Sequence, residues 1–316
     1  MQAHPIDSWQ HKHDFTVMEE HGERRTWQVL VLTAVTMLME VIAGMAYGSM
    51  ALLADGWHMG THVAAFMITI VAYRYTKRHA NSTDYAFGPG KVGVLGGFAS
   101  AIVLLGVALF MLFESIQRLM SPQQIHFNEA MLVAALGLAV NIASAFLLRD
   151  SHGHHDHHGT HEDHHHHDHN LKAAYLHVLA DALTSVLAIG ALFFGKHLGW
   201  HWLDPLIGIV GAAIIGRWAY TLLRECGSVL LDGSIDDKVL AAIRKTIEQV
   251  PDVKITDIHV WRVGPADFAA ILSIVTHRPR KIEYYKGLLA DFRELTHITV
   301  EVNVCEEETC PLNQPI

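Results

Sequence analysis

The sequence predicts a membrane-embedded bundle of six transmembrane α-helices, followed by a smaller α+β domain outside the membrane. The first observation is that the 316-residue chain holds six windows of largely apolar sequence, all before residue 232. A window of about 20 such residues is long enough to cross a bilayer as a helix. The second observation is a change of pattern at about residue 232, after which the sequence is typical of a water-soluble domain.

The six windows are apolar on all sides, whereas the helices of a soluble bundle keep one polar face. We therefore assign 27–231 to a six-helix transmembrane domain. Asp204–Pro205 is a typical start signal for the sixth helix, with a capping residue before a Pro at the first helical position. The windows are Trp27–Tyr47, Met50–Tyr73, Gly93–Phe113, Ala130–Leu148, Ala173–Phe194 and Leu203–Leu223.

Lysine and arginine residues are concentrated in alternate loops, which is typical of loops that face the cytoplasm. The basic segments are the N-terminal tail 1–26, the loop 74–91, the loop 149–172 and the region after the sixth window. The three intervening loops carry at most one lysine or arginine each. The tail also lacks the apolar core of a signal peptide. We therefore expect a multi-pass protein of the cytoplasmic (inner) membrane with both termini in the cytoplasm.

The charge and the histidine content exclude one class of partner and favour another. The formal net charge is −9 at pH 7, so the chain offers no basic surface for nucleic acid. Its 25 histidines outnumber the 23 lysines and arginines together. Because imidazole groups bind protons and metal ions near neutral pH, this composition indicates protons or metals as ligands.

Many of the histidines fall in one segment, 150–170, between the fourth and fifth windows. Eleven histidines and four acidic residues lie between His152 and His169, with no apolar residue among them. An engineered tag would lie at a terminus, whereas this segment is internal. Imidazole and carboxylate together suit borderline divalent metals, so we predict a loop that is disordered when empty and holds several ions weakly. Its candidate ligands are His154, His155, His157, His158, His164, His165, His166 and His167.

The segment 232–316 predicts a small cytoplasmic α+β domain with the element order αββαβ. This order favours a three-stranded sheet with both helices on one face. The other face, or a sheet edge, would then be open for pairing with a second copy of the chain. We predict helices at Asp236–Val250 and Lys281–Leu295, and strands at Val253–Val263, Phe268–Thr276 and 299–304.

The second and fifth windows each hold a pair of metal-ligand side chains four residues apart. His58 and His62 lie in ADGWHMGTH, and His177 and Asp181 lie in AAYLHVLADALTS. Residues four apart share one face of a helix, and ionisable residues inside membrane spans are generally functional. Three imidazole nitrogens and one carboxylate oxygen form a full tetrahedral set for Zn²⁺ or Co²⁺. Asp55, one turn before His58, is either a partner that orients His58 or an ordinary helix-start residue.

Metal ions and protons compete for these imidazoles, because an imidazole must be neutral to bind a metal and its unperturbed pKa is about 6.5. A site exposed in turn to the two sides of the membrane would exchange one for the other. FGPGKVG lacks the spacing of a phosphate-binding loop and is interpreted as a turn. We therefore expect metal transport coupled to protons, with no cofactor and no enzymatic activity.

At these residues the sequence resembles the cation diffusion facilitator family of metal/proton antiporters. The resemblance covers nearly the whole chain and includes LLADGWHMGTH, AAYLHVLADALTS, DYAFGPGKVGVLGGFASAIVLLGVALFMLFESIQRL, DPLIGIVGAAIIG, DIHVWRVGP and the histidine-rich loop. It implies a homodimer of six-span protomers in a lipid bilayer, each with a cytoplasmic domain of ferredoxin-like type. It also implies a transport site at the positions of His58, His62, His177 and Asp181.

One position departs from the family pattern. The second-span pair of the family usually ends in aspartate, and this chain has His62 there. Replacing an oxygen ligand by nitrogen shifts preference toward Ni²⁺ and Co²⁺, and the pattern resembles the bacterial cobalt- and nickel-exporting branch. We therefore expect Co²⁺ or Ni²⁺ as the cargo, with a zinc-dedicated exporter as the alternative. Relatives also carry zinc ligands in the cytoplasmic domain; His259 matches one such position, and the others fall on Leu272 and Asn303.

A membrane di-iron oxygenase is the rival from another class, because such enzymes also use HxxxH and HxxHH boxes. A di-iron site needs rigid ligands on several helices, whereas the additional boxes here all lie in one glycine-broken loop. Deletion of 152–169 distinguishes the transporter hypothesis from the oxygenase hypothesis, since only the oxygenase would lose all activity. The four candidate ligands argue against a passive channel, because they are enough to bind a dehydrated ion tightly.

Overall fold

The computed structural model describes residues 23–79, 82, 84–149, 166–264 and 266–305. Within these residues the chain forms two compact units. The helix unit consists of 23–70 and 97–223, and the tail unit consists of 71–96 and 224–305. The segment 71–96 thus groups with the C-terminal part of the chain.

Six long helices precede the tail domain, and each predicted window falls inside one of them. Every helix continues beyond its window at one end or both, because the polar turns that flank the apolar sequence are also helical. The helices are α1 (Glu23–Tyr47), α2 (Met50–His79), α3 (Val92–Met120), α4 (Phe127–Arg149), α5 (His166–Leu198) and α6 (Leu203–Leu230).

Three stretches of the described residues are both long and apolar enough to cross a membrane. They are Leu30–Tyr47 of α1, the whole of α3 and the whole of α6. Two other helices contain shorter apolar segments, Phe127–Ala143 in α4 and Ala182–Leu198 in α5. The six-span prediction is thus supported by composition for three helices.

The first half of α2 lies at the centre of the helix unit. Its residues Met50, Leu53 and Ala54 share one apolar core with α3 and α6. Leu52 packs into a second core with α1, α4 and α5, and Ala51 packs with α5 and α6 in a third. This half of α2 therefore contacts all the other long helices, and it is the part that carries Asp55 and His58.

The start of α2 is capped by a side chain from another helix. Asp204, in the first turn of α6, accepts hydrogen bonds from the Ser49 hydroxyl (2.6 Å) and from the backbone N–H groups of Met50 (2.7 Å) and Ala51 (3.1 Å). We expected Asp204 to cap its own helix, and that prediction was wrong. The N–H groups at the start of α2 are buried and have no partner within their own helix, so they bind this carboxylate instead.

The tail domain has the predicted element order αββαβ. Strands β1 and β2 are antiparallel, and β2 and β3 are parallel, in the order β1-β2-β3. The predicted second helix was too long: it ends at Leu288, and Leu295, its predicted last residue, instead begins the third strand by pairing with Phe268. The elements are α7 (Asp237–Glu248), β1 (Val253–Arg262), β2 (Phe268–Thr276), α8 (Ile282–Leu288) and β3 (Leu295–Val304).

Both helices of the tail domain pack on one face of the sheet. Ile243 and Ile247 of α7 and Tyr285 of α8 are fully buried against Leu272 and Ile274 of β2. On the opposite face of the same strand, Ile271 is 42% exposed. The arrangement agrees with the prediction of two helices on one face and an open face on the other.

The loop between α2 and α3 packs against the sheet within the tail unit. The Phe87 ring makes edge-to-face contacts with Trp261 (5.7 Å between centroids) and His297 (5.4 Å). Lys91 forms an ion pair with Asp232. Gly90 packs against the backbone of Val263, where a Cβ added to the glycine would lie 2.6 Å from the Val263 carbonyl oxygen. Gly90 of FGPGKVG thus permits close packing on the tail domain, a role that the sequence did not reveal.

Candidate metal centre

His58 and His62 lie on one face of α2, as their spacing predicts. Their ring centroids are 5.2 Å apart with the planes at 87°, and His58 is 4% exposed. The His58 ring also lies 5.0 Å from the ring of Trp218 on α6. The two imidazoles are therefore neighbours inside the helix unit.

A small cavity lies beside His58, between α2, α5 and α6. Its volume is about 40 Å³, which is room for a water molecule or a bare metal ion. The polar side chains among its lining residues are Asp55, His58 and Thr184. The remaining lining residues are apolar or glycine, so ligands in this cavity act in a region of low dielectric.

Asp55 connects α2 to α5. It is 2% exposed, and its Oδ1 accepts a hydrogen bond of 2.9 Å from the Thr184 hydroxyl. Asp55 is therefore a buried residue with a partner on a neighbouring helix and not a surface residue at a helix start. Sequence reasoning missed Thr184, although it lies three residues after Asp181 and seven after His177 and so shares their helix face.

His177 and Asp181 belong to α5, whose backbone the structure describes as helical. Their side chains lie outside the described part of the chain, so the convergence of the four predicted ligands stays a prediction. Among the side chains that are described, no three histidine, cysteine or acidic residues form a group that could hold a metal ion.

The tail domain places His259, Leu272 and Asn303 at the positions where relatives carry zinc ligands. His259 is exposed, and its Nε2 lies 2.9 Å from Oδ2 of Asp257. Leu272 is fully buried in the core on the other face of the sheet, and the Asn303 amide donates a hydrogen bond to the Ser273 hydroxyl. Of the two other positions at which relatives carry ligands, one therefore holds an apolar side chain, Leu272. The other holds an amide, Asn303, that is hydrogen-bonded to Ser273.

The histidine loop lies largely outside the described residues. His154, His155, His157, His158, His164 and His165 are in that part of the chain. The backbone of His166 and His167 is the first turn of α5. The prediction that 150–170 is entirely a loop was therefore wrong for 166–170, because the fifth helix begins before its apolar window.

The tail domain contains a hydrogen-bonded pair of an aspartate and a histidine that the sequence did not suggest. Asp252, in the turn before β1, accepts hydrogen bonds from His277 Nδ1 (2.5 Å) and from the backbone N–H groups of His277 (2.9 Å) and Arg278 (3.1 Å). The His277 hydrogen bond holds the pKa of the Asp252 carboxyl below its usual value. This pair ties the start of β1 to the end of β2.

Comparison with known proteins adds independent information. Residues 27–231 match the family description "Cation efflux transmembrane domain". The chain is 32% identical to a protein of Pectobacterium atrosepticum named "Zinc transporter ZitB", over 96% of this chain and 92% of the relative. It is 31% identical to "Metal cation efflux system protein CzcD" of Cupriavidus metallidurans, over 94% and 91% of the two chains. It is 25% identical to "Cadmium, cobalt and zinc/H(+)-K(+) antiporter" of Bacillus subtilis, over 89% and 90%.

Proposed function

The chain belongs to the cation efflux family, known also as the cation diffusion facilitators, and is a metal cation efflux transporter. From this premise we propose that it exports divalent transition-metal ions across the cytoplasmic membrane in exchange for protons. Membership in a transporter family excludes the di-iron oxygenase considered above. The proposed centre consists of His58, His62, His177 and Asp181.

The observation that carries the proposal is the contact between Asp55 and Thr184, which defines how α2 lies against α5. The two helices are antiparallel, so a step toward the C-terminus on one is matched by an equal step toward the N-terminus on the other. His58 lies three residues after Asp55 and Asp181 lies three residues before Thr184, so these two positions are level. His62 and His177 are level in the same way, at seven residues from the contact. We therefore propose that the four ligands form two facing pairs, His58 with Asp181 and His62 with His177.

A second contact supports the same register. Ala51, four residues before Asp55, packs in one apolar cluster with Ala188, four residues after Thr184. Both residues are buried, and their small side chains allow α2 and α5 to approach closely. Two contacts one turn apart thus define the alignment on which the facing pairs depend.

The chemistry of the set suits reversible binding. Neutral imidazoles and one carboxylate bind a divalent ion in tetrahedral geometry. Protonation of the imidazoles removes their lone pairs, so protons arriving from outside displace the ion and ion binding displaces protons. Exposure of the centre to each side of the membrane in turn would then export the ion and import protons.

The names of the relatives change the expected cargo. Two of the three name zinc, one alone and one with cadmium and cobalt, whereas none names nickel. A set of three histidines and one aspartate suits Zn²⁺ as well as Co²⁺. We therefore propose Zn²⁺ as the principal cargo and keep Co²⁺ and Ni²⁺ as the alternative that His62 suggests.

The remaining expectations complete the proposal. We propose that all six long helices span the membrane, with both termini, the loop 74–91 and the tail domain in the cytoplasm. The open face of the tail-domain sheet supports pairing with a second copy, as a homodimer. The histidine loop would then lie on the cytoplasmic side, where it collects ions before transport.

Transport by purified protein in proteoliposomes tests the proposal, with metal and pH indicators trapped inside. We expect uptake of Zn²⁺ with opposite proton movement in the wild type. His58→Ala and Asp181→Asn should each lose about tenfold or more of the rate, because each removes a ligand. His197→Ala removes an exposed histidine from the last turn of α5 and should have no effect. Wild-type rates in both ligand variants would reject the proposed centre.

A further inference from the structure

Glu40 is a buried carboxyl group that the proposed metal centre does not use. It lies near the middle of the apolar stretch Leu30–Tyr47 of α1 and is 0% exposed. Neither of its carboxyl oxygens has a hydrogen-bond partner among the groups that the structure describes. A carboxylate in such a place is costly, whereas a protonated, neutral carboxyl is far less so.

The surroundings of Glu40 are backbone and small residues. On α4, its Oε1 lies against Gly137, where any Cβ would overlap the oxygen. On α2, a Cβ at Gly56 would lie 3.0 Å from the Glu40 Cβ. One turn before Glu40, the Thr36 hydroxyl is already bonded to the Leu32 carbonyl. The packing therefore brings the carboxyl group into close contact with two helices while the described groups offer it no donor.

Glu40 and His58 lie on opposite sides of α2 at nearly the same depth. Glu40 packs beside Gly56. His58 lies two residues after Gly56, so the two positions differ by about 3 Å along the axis of α2 and by more than half a turn around it. An ion bound to His58 would be separated from Glu40 by roughly the diameter of one helix, about 10 Å. Charges interact appreciably over that distance in a dry interior.

The titratable group that faces Glu40 from α2 is Asp55, whose charge acts on it. On α4 the residue in contact with Glu40 is Gly137, and the titratable residues of α4, Glu129 and Arg149, lie at its two ends. Asp55 has a donor in Thr184, and Asp181 is a proposed ligand. Of the two buried carboxyls that the structure describes here, Asp55 and Glu40, Glu40 is therefore the one best suited to hold a proton when no metal is bound.

We propose that Glu40 is a proton-binding site of the transport cycle, which releases its proton when a metal ion binds and takes up a proton when the ion leaves. In the first step the carboxyl O–H bond breaks, the proton passes to water, and the carboxylate charge partly balances the bound dication. In the second step the carboxylate accepts a proton from the outer side. Each cycle thus carries one proton inward on Glu40, in addition to protons carried by the imidazoles.

This inference rests on the proposed function, and the test separates the two. Metal affinity of the detergent-purified full chain is measured with Zn²⁺ between pH 6 and pH 8. The slope of log affinity against pH equals the number of protons released per ion. Glu40→Gln, which mimics the neutral acid but has no proton that titrates in this range, should lower that slope by about one. Glu40→Asp keeps a titratable carboxyl and should retain the wild-type slope, as should Glu129→Gln, which changes an exposed carboxyl.

A second measurement uses the wild type itself, so that the test does not depend on a variant that folds. Infrared difference spectra between the metal-free and Zn²⁺-bound states should show loss of a protonated-carboxyl band, and Glu40→Gln should remove that loss. An unchanged slope in a folded Glu40→Gln variant, or no such band in the wild type, would overturn the role of Glu40. Zn²⁺ binding that is insensitive to His58→Ala would instead overturn the proposed metal centre.

Discussion

His62 lies one turn after His58 on α2 and is the residue at which this chain differs from the aspartate expected by family resemblance. His62→Asp replaces a nitrogen ligand by an oxygen and adds a negative charge to the centre. Oxygen ligands reduce the advantage of Ni²⁺ and Co²⁺ over other divalent ions. We expect the ratio of Zn²⁺ and Cd²⁺ transport to Ni²⁺ transport to rise several-fold in proteoliposomes. His197→Asp, outside the centre, is the matched control, and equal ratios in all three proteins would show that His62 does not set selectivity.

Asp252 is the residue whose titration should affect the stability of the tail domain. Its pKa in the folded chain is held below the ordinary value of 3.8, mainly by the hydrogen bond from His277. A carboxyl with a lowered folded pKa stabilises the fold above its unfolded pKa and loses that contribution as pH falls through the folded pKa. Asp252→Asn should therefore lower the unfolding temperature of the tail domain at pH 7. The difference from the wild type should shrink below about pH 4, and a difference independent of pH would contradict this account.

The residues of the candidate site differ in how far they could be predicted. The spacing of His58 and His62 was sufficient to place them together, because helical periodicity alone brings residues four apart onto one face. The partner of Asp55 could not be predicted in the same way, because a threonine in an apolar helix usually bonds its own backbone. The role of Asp204 was missed for a similar reason: its bonding partners are more than 150 positions away in sequence.

At the scale of elements, the cap that Asp204 provides for α2 should stabilise the packing of that helix in the helix unit. Asp204→Ala leaves the buried Ser49 hydroxyl and two N–H groups without their acceptor, at a cost of about 2 kcal/mol. We expect a lower unfolding temperature in detergent and weaker Zn²⁺ binding, since α2 carries two of the proposed ligands. Asp237→Ala removes an exposed aspartate from the first turn of α7 and serves as the control. Equal stability of the two variants would contradict the capping role.

The helices and strands themselves were largely predictable, and the exception is instructive. Long apolar windows and strict alternation give strong local signals, so the six helices and the order αββαβ were predicted. The end of α8 was not, because the residues up to Leu295 are compatible with a helix in isolation. Pairing of Leu295 with Phe268 in the sheet is a long-range interaction, and it ends the helix several residues earlier than local preference suggests.

At the scale of the whole molecule, the division into units was the least predictable feature. The loop between α2 and α3 was interpreted as a simple turn, yet Phe87 packs on Trp261 and His297 within the tail unit. No periodicity within the loop indicates such contacts, since they depend on residues far along the chain. The loop thus joins the ends of two long helices to the sheet of the tail domain.

The histidine loop provides a prediction at the same scale. Deletion of 152–169 removes eleven histidines but none of the four proposed transport ligands. We expect the maximal Zn²⁺ transport rate in proteoliposomes to stay close to that of the wild type, with fewer weakly bound ions per chain. A complete loss of transport, in a variant that still folds and inserts, would mean that the loop contributes to the transport step itself.

The central claim is that α2 and α5 together hold one ion through three imidazoles and one carboxylate. X-ray absorption at the zinc edge tests it most directly, using the chain without 152–169 and one equivalent of Zn²⁺. We predict four nitrogen or oxygen ligands at about 2.0–2.1 Å, with three imidazole signatures that fall to two in both His58→Ala and His177→Ala. An imidazole count that is unchanged by either substitution would contradict the claim.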